Sequence, residues 1–238
     1  MDARAGALNA EAPANLVPRD AATLIVVDSR GGATRVLMGK RHAGHRFMPD
    51  KFVFPGGAME VVDRRVTPAR PLRAAVAQKL AAKPRHPSPT LARALALAAI
   101  RETFEETGLA IGEKSAVAAA VGGPWEAFAA LGVAPALDGV DFLARAITPP
   151  GRWKRFDARF FMVDAERIQA EAPGIVHAGA ELTELVWTSL EATQSLDLPE
   201  ITRMVLKDLR AVLDGDSRLD RPRPFYRRFR GTFRREFL

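Results

Sequence analysis

The chain has 238 residues, enough for one medium domain or two small ones, and carries 35 Lys plus Arg against 28 Asp plus Glu, a net +7. Its 47% hydrophobic and 26% charged residues are ordinary for a globular protein and argue against disorder along its length. With no cysteine, a disulfide framework, an iron–sulfur cluster, a Cys-based zinc site and a thiol nucleophile are all excluded. Residues 1–19, rich in Ala and Pro, read as a loose N-terminal arm. Residues 22–28 and 34–41 are β-rich runs, and the Gly31-Gly32 between them supports a hairpin. Residues 52–54 form a third short strand, stopped by Pro55-Gly56-Gly57. Pro68, Pro71, Pro84 and Pro87 bracket a helical stretch over 72–82. Ser88-Pro89-Thr90 opens a helix running to about Thr107, with Gly108 placed to cap it. Residues 124–131 predict a short helix, and strands follow over 142–147, 159–163 and 184–188. A short helix near Leu190 and an amphipathic helix over 198–213 complete the body. This mixed order predicts an α+β fold, a mixed β-sheet flanked by helices.

No run of about 18 apolar residues is present, so no transmembrane helix is expected. Met1-Asp2-Ala3-Arg4 lacks the apolar segment of a signal peptide, which sets the expectation of a cytoplasmic protein without a membrane partner. The positive charge is uneven. Residues 218–238 hold eight arginines and two acids, Asp220 and Glu236, a net +6 that leaves only +1 for the rest. A near-neutral body with an Arg-rich tail (216–238) disfavours nucleic acid as the main partner. The interleaved Phe225, Tyr226, Phe229, Phe233 and Phe237 suit packing within the tail or on a second copy better than base stacking, so a homodimer stays open.

The densest chemical signal is Arg101-Glu102-Thr103-Phe104-Glu105-Glu106-Thr107-Gly108. Helical spacing puts Glu102, Glu105 and Glu106 in one direction near the C-terminal end of the helix, where they repel one another and oppose the macrodipole. A divalent cation would relieve that repulsion, and Mg²⁺ prefers such hard oxygen ligands; a solvated acidic face is the alternative. Arg101 stands four residues before Glu105 and can hold its carboxylate. Upstream, Phe54-Pro55-Gly56-Gly57 follows a strand, where glycines allow a close approach of backbone to a ligand. His42, His45, His86 and His177 show no metal-ligand spacing and read as surface or packing residues.

Together these segments resemble the signature of the Nudix hydrolases: Gly, five residues, Glu, seven residues, then Arg-Glu-hydrophobic-x-Glu-Glu-x-Gly-hydrophobic. Gly57 opens the pattern, and Asp63 stands where the family has Glu. Thirty-seven residues, 64–100, then precede Arg101 instead of seven. The box is therefore split by an insertion whose irregular part is about 64–87. Such splitting is similar to the coenzyme A diphosphatase branch of the family. Leu37-Met38-Gly39-Lys40-Arg41-His42, Arg46 and Phe54–Gly57 resemble that branch's coenzyme A motif, with Gly39, His42 and Asp50 departing from it. Thr148-Pro149 with Arg155–Phe161, and Glu181–Trp187, resemble later strands of the same proteins.

The resemblance implies an α/β/α sandwich over 20–215 with a helical insertion. It also implies metal-dependent hydrolysis of a nucleoside diphosphate linked to X. Coenzyme A or acyl-coenzyme A leads as substrate, with ADP-ribose, dinucleotides, an RNA substrate or a non-hydrolytic nucleotide-binding module as alternatives. It assigns Glu102, Glu105 and the orienting Arg101 to catalysis. Mg²⁺ or Mn²⁺ would be held by Glu102, Glu105, Glu106, the Gly56 carbonyl and a distant acid, Glu181 first and Glu184 second. Arg41, Arg46 and Gly57 would meet the substrate.

Overall fold

The computed structural model describes residues 16–45, 48–115, 122–215 and 221–238. The first half of the chain contains β1 (Arg19–Asp28), β2 (Arg35–Arg41), β3 (Phe52–Val53), β4 (Gly56–Ala58), α1 (Ala74–Leu80) and α2 (Leu91–Thr107). Two short strands, β5 (Leu109–Ile111) and β6 (Glu113–Lys114), lead to α3 (Pro124–Ala129) and β7 (Val133–Ala134). Strands β8 (Asp141–Ile147), β9 (Phe156–Asp164), β10 (Ile168–Glu171) and β11 (Leu182–Ser189) follow, then α4 (Glu200–Leu213) and a hairpin of β12 (Pro224–Phe229) and β13 (Thr232–Phe237).

The main sheet has the order β11-β2-β1-β9-β8-β12-β13, with β3 beside β2 and β4 beside β1. The β1–β9 and β8–β12 pairs are parallel and the rest are antiparallel, so the sheet is mixed as expected. β1 starts three residues before the predicted strand because Arg19–Ala21 pair with Phe156–Ala158. The β1–β2 hairpin is laddered only at Val27↔Val36 and Asp28↔Arg35. Towards its open end β3 lines β2, and β4 lines β1 through Ala22↔Gly57 and Thr23↔Gly56. That opening admits the Pro-Gly-Gly turn. A Cβ on Gly56 would stand 2.5 Å from the Ala22 carbonyl oxygen and 2.6 Å from Thr23 Cα, so only glycine fits.

α2 lies on one face of the sheet. Leu95 to Ile100 are fully buried without interruption, because α1 and α3 cover the side that a surface helix would leave wet. Trp125 and Phe128 of α3 meet edge to face, and Phe128 meets Phe104 of α2 at 5.2 Å. α4 covers the opposite face through Val205, Leu206, Leu209 and Val212. α1 therefore contributes core: its Val76 and Leu80 belong to the same cluster as α2. Among the described residues no helix is long and apolar enough to cross a membrane.

The expected tail, 216–238, needs correction where it is described. Residues 224–237 form the β12–β13 hairpin and extend the main sheet, with Phe225↔Arg145 and Tyr226↔Ala146 paired to β8. Phe225 and Tyr226 are buried, and the Tyr226 hydroxyl donates to Asp208 of α4 at 2.6 Å. Neither strand alternates buried and exposed residues, so the sequence carried no strand period there. Deleting 216–238 is expected to bare the β8 edge and the α4–sheet seam, lowering Tm by about 5 °C or more and promoting aggregation. Differential scanning calorimetry with light scattering checks this, and an unchanged Tm would sink it.

Candidate active site

The site forms where the C-terminal half of α2 passes beneath the opened hairpin. Arg101 is its hub and is 2% exposed. Its Nε donates to Asp63 Oδ1 at 2.8 Å and its Nη2 to Asp63 Oδ2 at 3.1 Å, a bidentate pair. Nη2 also donates to the Ala58 carbonyl at 2.9 Å. Nη1 donates to Glu102 at 2.9 Å and to Glu105 at 3.0 Å. One guanidinium therefore ties the glycine segment, Asp63 and two helix carboxylates together. Asp63 is fully buried and also accepts from the Glu60 N–H at 2.8 Å and from the Trp125 indole at 3.4 Å.

The glycines meet the carboxylates directly. The Gly56 N–H donates to Glu106 Oε2 at 3.1 Å. Gly57 lies against Glu102, where a Cβ would come within 2.4 Å of Oε2. Gly108 ends α2 in the left-handed region at φ +80°, its N–H capping the Phe104 carbonyl at 2.8 Å. Thr103 is fully buried, and its hydroxyl donates to the Ala99 carbonyl at 2.8 Å.

Glu181 stands on the far rim and accepts from Arg41 at 2.6 Å. Its charge disfavours ionisation of both Glu102 and Glu106, which places it in the same electrostatic group. Glu184 is exposed on β11, where it is paired with Lys40 of β2. Two residues outside the predicted site set join the group. Asp63 acts as the anchor of Arg101, and His45 places its ring nitrogens 2.9 and 2.7 Å from Arg41 and 3.4 Å from Glu181. The short spacing from Arg41 to His45 was the available signal for the second. Arg46 lies outside the described residues. Asp50, which replaces a motif glycine, adopts φ +57°, a conformation Asp tolerates better than most residues.

Burial is the main influence on each carboxylate. It pushes Glu102 up to about 7, with Glu105 repelling and Arg101 opposing the rise. It raises Glu105 against the pull of Arg101. Glu106 is raised well above the usual carboxylate range by burial, then by Glu181 and Glu102, against the Gly56 N–H and Arg41. Burial works against the Arg101 charge as well, but the Asp63 bonds and the surrounding carboxylates outweigh it and hold Arg101 above its ordinary value.

Comparison with solved structures places this fold. A Nudix hydrolase from Alicyclobacillus acidocaldarius matches with a TM-score of 0.61 at 28% identity, over 86% of this chain and 96% of that one. Its fold is that of the Nudix hydrolases, and the likeness supports a Nudix-type hydrolase. The Nudix domain of Shewanella oneidensis NrtR, solved with ADP ribose, matches at a TM-score of 0.47 and 10% identity, over 84% of this chain and 91% of that one. RenU, a Nudix hydrolase from M. smegmatis, matches at 0.45 and 18%, over 85% and 90%. No family model and no curated protein matches the sequence.

Nudix hydrolases generally depend on a divalent cation, and the donor set here fits one. Among the described residues no three acidic or histidine side chains close a cage around one point. Mg²⁺ rarely needs such a cage, because it binds through one or two carboxylates and takes its other ligands from substrate phosphate and water. Three mutually repelling carboxylates, each held back from ionisation, form an anionic group that a cation would stabilise. A pH test follows. The folded-state pKa of these groups lies above the unfolded value, so across that interval the native state binds more protons than the unfolded state. Without metal, stability is therefore expected to fall as pH rises from about 4.5 through about 7. Added Mg²⁺ or Mn²⁺ should raise Tm more at pH 8 than at pH 5. Equal metal-induced shifts at the two pH values would refute this.

Proposed function

We propose that this Nudix hydrolase splits the pyrophosphate bond of a nucleoside diphosphate linked to a group X, with Mg²⁺ or Mn²⁺ as cofactor. Coenzyme A or acyl-coenzyme A is the leading substrate, giving 3′,5′-ADP and (acyl-)phosphopantetheine. The observation that carries the reaction is the Arg101 hub, which joins the two halves of the split motif at Asp63, Ala58, Glu102 and Glu105. The coenzyme A assignment draws on the sequence resemblance over 37–57.

Glu105, Glu106, the Gly56 carbonyl and Glu181 would hold the cation. A bound divalent cation supplies neutralisation of the phosphate charge and activation of water. Water adds to one phosphorus, the bond from that phosphorus to the bridging oxygen breaks, and the other phosphate leaves. Glu102 is placed as a ligand or as the acceptor of the water proton, and a carboxylate pushed up to about 7 suits proton transfer near neutrality. Arg101 fixes the directions of Glu102 and Glu105 and is a positioning residue. Arg41 offers a guanidinium whose buried Nε has no acceptor among the described residues, a donor suited to a phosphate oxygen.

The test is a panel of coenzyme A, ADP-ribose, NADH and diadenosine polyphosphates with Mg²⁺ or Mn²⁺, its products resolved by chromatography. Release of 3′,5′-ADP from coenzyme A is expected. Preferential cleavage of ADP-ribose or NADH would overturn the substrate assignment. Failure to cleave any member would overturn the reaction.

A further inference from the structure

A second basic site lies apart from the carboxylates. It is a cavity of about 230 Å³ lined by Lys83 and Arg85 of the insertion, Arg145 and Asp157 of the sheet, and Phe225 and Arg227 of the hairpin. None of the residues assigned to the cation lines it. The sheet order runs from β4 through β1, β9 and β8 to β12. At about 4.8 Å per strand, the cavity stands roughly 10–20 Å from the glycine turn.

Its charges do not balance. Arg145 pairs with Asp157 at 2.6 Å, and Arg227 pairs with Glu236 at 3.0 Å. Among the described residues Lys83 reaches only that same Glu236, at 3.9 Å. Arg85 forms no ion pair among the described residues. Four cations thus face two carboxylates, a surplus of two positive charges. Burial, and then the charge of Arg85, hold the neighbouring Arg155 below its ordinary value, as expected where guanidinium groups crowd without a counter-ion.

The site is also built. Arg145 is 3% exposed, and while Asp157 holds one edge of it, its Nη1 donates to the Lys83 carbonyl at 2.9 Å. Lys83 takes φ +49°, a left-handed conformation that a side-chain-bearing residue adopts rarely. A buried arginine thus pins a strained basic turn over the cavity, the kind of local cost that accompanies function. The Phe225 ring, 4.5 Å from the Arg145 guanidinium and 5.2 Å from that of Arg227, supplies a dry wall. A phosphate monoester carries close to two negative charges at neutral pH, which matches the surplus, and the small volume suits one compact anion better than a polymer.

We propose that this cavity binds a phosphate monoester, as a second anion site separate from the metal centre. The phosphate is either a second one on the substrate or that of an independent ligand. The binding arm of the test does not depend on the hydrolytic reading. The full-length protein, in buffer with EDTA, is titrated calorimetrically with inorganic phosphate and with adenosine 3′,5′-bisphosphate. Binding is expected in the wild type and in Glu106→Gln. It should weaken at least about tenfold in Lys83→Ala/Arg85→Ala, whose exposed positions leave Tm unchanged, and recover in Lys83→Ala/Arg85→Lys. Equal binding by wild type and the double variant, or no binding of either probe by the wild type, overturns the proposal. A kinetic arm, which rests on the coenzyme A reading, separates the two sources. A tenfold higher KM for coenzyme A but not for dephospho-coenzyme A in the double variant identifies the substrate's own phosphate. Unchanged KM values with lost phosphate binding identify an independent ligand.

Discussion

Glu106→Gln is expected to lower turnover by at least about 10²-fold while leaving the metal-free fold as stable as before or more so. The two effects have the same origin. Glu106 is 7% exposed, and burial together with Glu181 and Glu102 holds it well above the usual carboxylate range. At neutral pH its charge is therefore a cost to the metal-free protein. A glutamine keeps the shape and can still accept from the Gly56 N–H, a bond of 3.1 Å, but brings no charge to a cation. The stabilisation by Mg²⁺ or Mn²⁺ seen in the wild type should shrink in parallel with turnover. Steady-state kinetics and metal-dependent Tm shifts measure the two separately. Turnover within a few-fold of wild type would remove Glu106 from the cation-binding set. A large fall in metal-free Tm would show that its role is structural.

Much of this was legible in the sequence because the chemistry is local. Glu102, Glu105, Glu106 and Arg101 share one helix, so helical spacing alone orders them, and the Arg101–Glu105 pair forms as that spacing implies. The same holds for the end of α2 at Gly108 and for the amphipathic α4. What escaped depends on distant partners. Asp63 reads as a shortened substitute before a long insertion, and only the fold shows it fully buried against Arg101, 38 positions away. The β12–β13 hairpin was missed because its strands owe their place to β8 and α4, while their own residues are dominated by arginine. Exposed arginines can line an edge strand without an alternating apolar face, so periodicity had nothing to register. The basic cavity was equally invisible, since Lys83, Arg145 and Arg227 come together only when insertion, sheet and hairpin meet.

Asp63→Ala should be the most destabilising single substitution at the site, by about 3 kcal/mol or more, or roughly 6–12 °C in Tm. Asp63 is fully buried and Arg101 is 2% exposed, so removing the carboxylate strands a guanidinium edge out of water. The bonds from Arg101 to Ala58, Glu102 and Glu105 survive, which keeps the loss near the lower end for a broken buried pair. The magnitude explains how Gly57–Asp63 and Arg101–Glu106, separated by residues 64–100, can still make one site. Spanning 37 residues rather than seven adds only about 1.5 kcal/mol of loop-closure entropy, and α1 offsets part of that by burying Val76 and Leu80. A bidentate buried pair exceeds that cost, so the two halves stay joined. Because the same guanidinium directs Glu102 and Glu105, Asp63→Ala should also lower turnover by about 10²-fold, an effect on kcat more than on KM. Asp63→Glu, which restores the residue usual in the family, tests fit: it should keep the pair, but one more methylene in a fully buried position costs about 1–3 kcal/mol. A double-mutant cycle with Arg101→Ala isolates the pair itself. A coupling energy of about 2 kcal/mol is expected, and one below about 0.5 kcal/mol would mean that something other than Asp63 and Arg101 holds the halves together.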